Sequence, residues 1–116
     1  MIKIVEFSIN EIILEEKACS DLVMRACLRS PVTPRRVSGM CSNRDKVFVI
    51  LEACPQDTPM PVYRFALLSS SANDEAGIDS QISSRYYAGF RTIGSFTVDN
   101  QIWALFAYRE NEGVQE

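Results

Sequence analysis

The stretch FRTIGSFTVDNQIWALFAYR, Phe90 to Arg109, decides the fold. Two apolar runs, Ile93 to Val98 and Ile102 to Phe106, flank Asp99-Asn100, residue types that tolerate the positive φ of a tight reversal. The pattern predicts a β-hairpin. A related stretch, RRVSGMCSNRDKVFVILE, occupies Arg35 to Glu52. There Arg35 to Cys41 runs out, a turn is expected near Ser42 to Asp45, and Lys46 to Ala53 runs back. Val47 to Leu51 is apolar without interruption and reads as a central strand.

Working outward, each hairpin is preceded by a strand and a helical segment. Val62 to Leu68 reads as a strand; Asn73 or Asp74 can cap a helix whose buried stripe is Ile78, Ile82 and Tyr86. Gly89 sits where the helix needs a left-handed residue to end. In the first half, Ile2 to Ile9 reads as a strand partly covered on both faces. Asn10 to Arg29 is ambiguous at its start, since Ile12-Ile13-Leu14 either extends the strand or opens a helix. Beyond it, Ala18, Leu22 and Ala26 recur at four-residue steps beside Cys19 and Val23, a helical stripe stopped by Pro31 and Pro34. The proline-rich break from Cys54 to Pro61 joins two halves, and Glu110 to Glu116 is a polar tail expected to fray.

Set side by side, the halves align with a spacing of 58 residues at the first strand and 55 to 56 at the hairpins. The expected fold class is therefore α+β: two tandem βαββ units, about 1–56 and 61–110, within a single domain spanning 1–116. The favoured arrangement is one mostly antiparallel sheet of about six strands with two helices on one face. Two three-stranded sheets facing each other across a cleft come second.

Composition bounds the chemistry. The chain has 116 residues, no histidine, and 12 basic against 15 acidic side chains. Without histidine, Ser-His-Asp and Cys-His catalysis, the usual proton shuttle near neutral pH and most transition-metal ligation are removed. The five glycines are scattered rather than gathered into a phosphate loop. The four cysteines, Cys19, Cys27, Cys41 and Cys54, form no Cys-x-x-Cys pair and are read as buried free thiols. Cys41, near Arg35, Arg36 and Arg44, has the most electropositive sequence neighbourhood of the four. No cofactor or metal is implied. The paired acids Glu15-Glu16 and Asp74-Glu75 lie at helix starts, where the helix dipole and solvent account for them.

No apolar run approaches the ~20 residues a membrane helix needs, and the alternating N-terminus does not resemble a secretory signal. The expected location is cytoplasmic, with no membrane partner. Arg25 to Lys46 is locally basic, whereas nine acids face four arginines from Val47 onward. The acidic balance and the lack of aromatics among those arginines argue against nucleic acid.

The leading expectation is a non-enzymatic, self-associating binding or regulatory module, most simply a homodimer, that uses an uncovered sheet face or edge. The rival is a cleft that binds or transforms a small acidic ligand. In that case Arg35, Arg36, Arg64 and Arg91 would steer the ligand, and Tyr86 and Trp103 would supply an aromatic wall.

Overall fold

The computed structural model describes residues 2–28 and 34–108. The elements run β1 (Ile2–Ser8), α1 (Ile9–Leu14), α2 (Glu16–Leu28), β2 (Arg35–Asn43), β3 (Lys46–Ala53), β4 (Val62–Ser69), α3 (Glu75–Tyr87), β5 (Phe90–Val98) and β6 (Gln101–Tyr108). The expectations placed on Arg29, Pro31 and Glu110 to Glu116 lie outside the described residues.

The chain is α+β, with six strands that pair only antiparallel. They divide into two three-stranded sheets, ordered β1-β3-β2 (sheet A) and β4-β6-β5 (sheet B), rather than joining into one. The reason lies at the edges that would have to meet. Strands β2 and β5 are neighbours, but each carries a bulge, between Val37 and Gly39 and between Thr92 and Gly94. Bulges break a ladder and turn an edge aside. A Cβ on Gly94 would lie 3.3 Å from Met40 Cε and 3.9 Å from the Met40 carbonyl oxygen, so the strands meet through packing. The Val37 N–H that an adjoining strand would take instead donates to Tyr63 Oη at 3.0 Å. On the far edge of sheet B, Phe65 N–H donates to Ser20 Oγ at 3.1 Å. The Tyr63 hydroxyl thus occupies the edge of β2 that a continuous sheet would have used, and the Ser20 hydroxyl closes the opposite edge of sheet B.

Among the described residues three helices form, not two. Ser8 caps α1 through a capping box: Glu11 N–H donates to Ser8 Oγ at 3.1 Å, and Ser8 N–H donates to Glu11 Oε1 at 2.9 Å. Ile12-Ile13-Leu14 is therefore helical, and Glu15 (φ −138°, ψ 56°) separates α1 from α2. The buried stripe of α2 is Cys19, Ser20, Val23, Ala26 and Cys27; Ala18 and Leu22 lie outside it and are exposed. Asp74 caps α3 as expected, and Gly89 has φ +103°.

The helices do not share one face. Helix α2 lies in the main core, formed by Phe7, Val47, Val49 and Leu51 of sheet A together with Tyr63, Phe65, Phe96, Trp103 and Leu105 of sheet B. Phe65 stands at its centre, edge-on to Phe7 (5.8 Å) and 6.4 Å from Phe96. Helix α3 covers the opposite face of sheet B, where Ile78 and Ile82 pack with Leu68, Ala104 and Phe106. At a spacing of 55 the turns correspond: Arg44 (φ 55°) and Asp99 (φ 52°) both take the positive φ. The same spacing carries exposed-face Ile50 onto core Leu105, so the two hairpins offer opposite faces to the main core.

Candidate functional site

Of the six residues singled out in the sequence, Arg91 and Tyr86 meet directly, while Trp103 is in the core. Arg35 and Arg36 begin β2, where Arg36 stands opposite Glu52. Arg64 on β4 donates to the Tyr63 carbonyl at 3.1 Å. Arg91 on β5 lies 3.8 Å from the Tyr86 ring centroid and donates to the Tyr86 and Phe90 carbonyls at 3.1 and 3.2 Å. Tyr86 is thus the platform for an arginine at the end of α3 and stays half exposed, not part of the buried stripe. Trp103 is in the core, with its Nε1–H donating to Gln101 Oε1 at 3.3 Å.

Two features of sheet A do form a surface. The first is its outer face. Along β1, Phe7 is buried while Ile2 and Ile4 are 63 and 57 % exposed. Along β3, Val47, Val49 and Leu51 are buried, whereas Phe48 and Ile50 on the other side are only half-buried. Opposed residues of an antiparallel pair share a face. The register sets Ile4 against Ile50, Glu6 against Phe48, and Cys41 against Phe48 from the other side. Ile2, Ile4, Phe48 and Ile50 therefore form one apolar patch, with exposed Cys41 beside it. The expectation that β1 is partly covered on both faces does not hold for the outer one, where Ile2 and Ile4 are exposed, because α2 and sheet B pack on the inner one. At one rim Lys46 Nζ lies 2.8 Å from Glu6 Oε2, which raises the lysine pKa by hydrogen bonding and charge attraction.

The second feature is a groove of about 740 Å³ between β1 and α2, lined by Lys3 to Glu6 and by Leu22, Met24, Arg25, Ala26 and Leu28. None of the six sequence candidates lines it. Its sequence signal is apolar residues that fall off the buried stripe of their helix: Leu22 and Leu28 are 45 and 60 % exposed.

The thiols separate by environment. Burial pushes Cys19 and Cys27 up to about 11, helped by the charges of Glu11, Glu15 and Glu16 at Cys19 and by Cys54 at Cys27. All four cysteines are free, and Cys41 is exposed rather than buried. Among the described residues no cluster of three histidine, cysteine or carboxylate side chains is placed to hold a metal ion. No helix among them is long and apolar enough to cross a membrane. Comparison with family models, with curated proteins and with solved structures gave no match.

Proposed function

We propose that this chain is a non-catalytic binding module that associates with a second copy of itself through the outer face of sheet A. The observation that carries the reading is the contrast between the two sheets. Helix α3 covers the outer face of sheet B, while the patch of Ile2, Ile4, Phe48 and Ile50 has no covering element among the described residues. Paired sheets pack face to face about 10 Å apart with interdigitated side chains, and a flat apolar face suits that arrangement. The rim carries both charge signs, Glu6 with Lys46 at one end and Arg36 opposite Glu52 at the other, so two copies can meet without a like-charge clash. Four free cysteines accord with a reducing, cytoplasmic setting.

Magnitude decides how tight the pairing is. Full burial of an isoleucine gives about 1.5–3 kcal/mol. Because Ile2 and Ile4 are a little over half exposed, each offers roughly 1–1.5 kcal/mol, or about 4–6 kcal/mol over two copies. Association costs about 4 kcal/mol or more, which these two isoleucines only offset; the half-buried Phe48 and Ile50 and the rim charges supply the remainder, and the dimer is weak and concentration-dependent.

The test is sedimentation velocity from about 5 to about 200 µM, a range that brackets micromolar affinities. The expected result is a shift from monomer toward dimer, lost in Ile50→Asp, which places a charge at the patch centre without touching the inner core. A parent chain that stays monomeric at the top of that range removes the reading.

A further inference from the structure

The open edge of β1 has a definite hydrogen-bonding phase. Ile9 N–H donates to the Asp45 carbonyl at 2.8 Å, one rung beyond the Ser8–Lys46 pair. In an antiparallel ladder, rungs that exchange both bonds alternate with rungs that exchange none. Phe7–Val47, Val5–Val49 and Lys3–Leu51 are therefore the bonded rungs. Ser8 fits the opposite phase, since its N–H turns to the Glu11 carboxylate. It follows that Ile4 and Glu6 direct their N–H and C=O groups away from β3. Tyr63 and Ser20 close the edges of β2 and β4, but among the described residues no side chain closes this one.

That edge borders the groove whose other wall is α2, with Leu22, Met24, Ala26 and Leu28 facing it. Unused backbone donors and acceptors beside an apolar helical wall are the two requirements for adding an extended peptide as a further strand: main-chain bonds give affinity, and alternate side chains find pockets. Charge selects the occupant. Glu6, the acid in the groove lining, is neutralised by Lys46 at 2.8 Å. Lys3 and Arg25 line the same groove, and neither has a carboxylate within 4.0 Å among the described residues. A second copy pairing β1 with β1 would add another Lys3 and another Arg25 around the same edge, while the nearby carboxylates of Glu6 and Asp21 are already paired with Lys46 and Lys17. We infer that the β1–α2 groove binds an extended peptide from another protein, with alternating apolar side chains and flanking carboxylates, by strand addition to the β1 edge. This site shares Ile4 and Glu6 with the rim of the outer face but uses the edge of β1 and the wall of α2, not the Phe48–Ile50 surface.

The experiment uses the full chain and three fluorescein-labelled peptides, EVTVTVE, KVTVTVK and EVPVPVE, followed by fluorescence anisotropy. EVTVTVE should bind, KVTVTVK about tenfold more weakly because two exposed ion pairs are lost, and EVPVPVE not measurably, because proline has no N–H to donate. Arg25→Glu should narrow or reverse the preference between the first two, and Ile50→Asp on the outer face should leave all three affinities unchanged. Absence of EVTVTVE binding up to about 1 mM, a range that reaches the weakest specific affinities, overturns the inference. So does equal binding of EVPVPVE, or an acidic preference unmoved by Arg25→Glu. Competition between EVTVTVE and self-association would make the edge the contact between copies, and overturns it as well.

Discussion

Tyr63→Phe isolates a single hydrogen bond that ties sheet B to the edge of sheet A. Tyr63 is 1 % exposed and its ring belongs to the main core, so phenylalanine keeps the packing and deletes only the oxygen. The Val37 N–H then loses its 3.0 Å acceptor at the edge of β2. Orphaning a buried donor costs about 1–3 kcal/mol, and because Val37 is only half-buried, water recovers part of it, leaving about 1–2 kcal/mol. Ser20→Ala is the harsher counterpart. Ser20 is fully buried, and the Phe65 N–H it accepts from at 3.1 Å is buried too. The upper part of the range applies there, offset by about 0.5 kcal/mol from the better helix propensity of alanine, for a net cost near 2 kcal/mol. At 116 residues an unfolding entropy of about 2.1 cal/mol/K per residue makes 1 kcal/mol worth roughly 4 °C in Tm. Urea titration and thermal melts should place Tyr63→Phe about 4–8 °C below the parent, on that same scale, with Ser20→Ala at least as low. Both variants within about 0.5 kcal/mol of the parent would mean that water reaches these edges and that the hydroxyls are not needed to satisfy them.

Two further outcomes follow from buried groups and from backbone geometry. Burial raises Tyr63 from 10.0 to about 12, and raises Cys19 and Cys27 from 9.0 to about 11. A raised folded pKa gives stability that is complete below the unfolded value and is lost as pH climbs to the folded one. Urea midpoints should therefore hold steady up to about pH 8, fall from about pH 9 as the thiols are engaged and fall faster above about pH 10, at no more than about 1.4 kcal/mol per pH unit for each group. Tyr63→Phe should flatten the upper part of that fall, and a midpoint unchanged from pH 8 to 10.5 would contradict the assignment. Gly89→Ala forces a Cβ onto a residue at φ +103° and against the Tyr108 ring, whose Cδ1 would lie 2.8 Å away. A loss of about 1–3 kcal/mol is expected by the same titration; parent-like stability would show that α3 can reach β5 by another path.

The hairpins were legible because their signals are local. Asp99 takes positive φ, Asp74 caps α3 and Gly89 ends it, each within a few residues of what it controls. The capping box of α1 was equally local: Ser8 and Glu11 stand three apart in the sequence and settle the ambiguity of Ile12 to Leu14. The first hairpin turn is blurred because Arg44, a residue with no turn preference, carries its positive φ. The division into two sheets is another matter. It involves facing bulges in β2 and β5 and a Tyr63 hydroxyl that reaches an amide 26 positions earlier. No periodicity encodes such a contact. The partners of the candidate residues are as hard to read: Arg35 and Arg91 occupy matching positions in the alignment, but the contact of Arg91 with Tyr86 depends on how α3 ends beside β5, which the alignment does not contain.

The position of α2 links the bare face to the open groove. If α2 had lain over Phe48 and Ile50, as α3 lies over Ala104 and Phe106, sheet A would have had no free outer face. Instead α2 sits in the main core, where Ser20 closes the edge of β4 and Val23, Ala26 and Cys27 pack with Phe7 and Phe65. That placement fills the interior shared by the two sheets, and it has two consequences for the surface. It leaves the outer side of sheet A to solvent or to another molecule, and it sets Leu22 and Leu28 beside a strand edge that no hydroxyl closes. A substitution that weakens the seat of α2, such as Ser20→Ala, should therefore reduce peptide binding along with stability. Ile50→Asp, on the face α2 does not cover, should spare peptide binding, whatever it costs the strand.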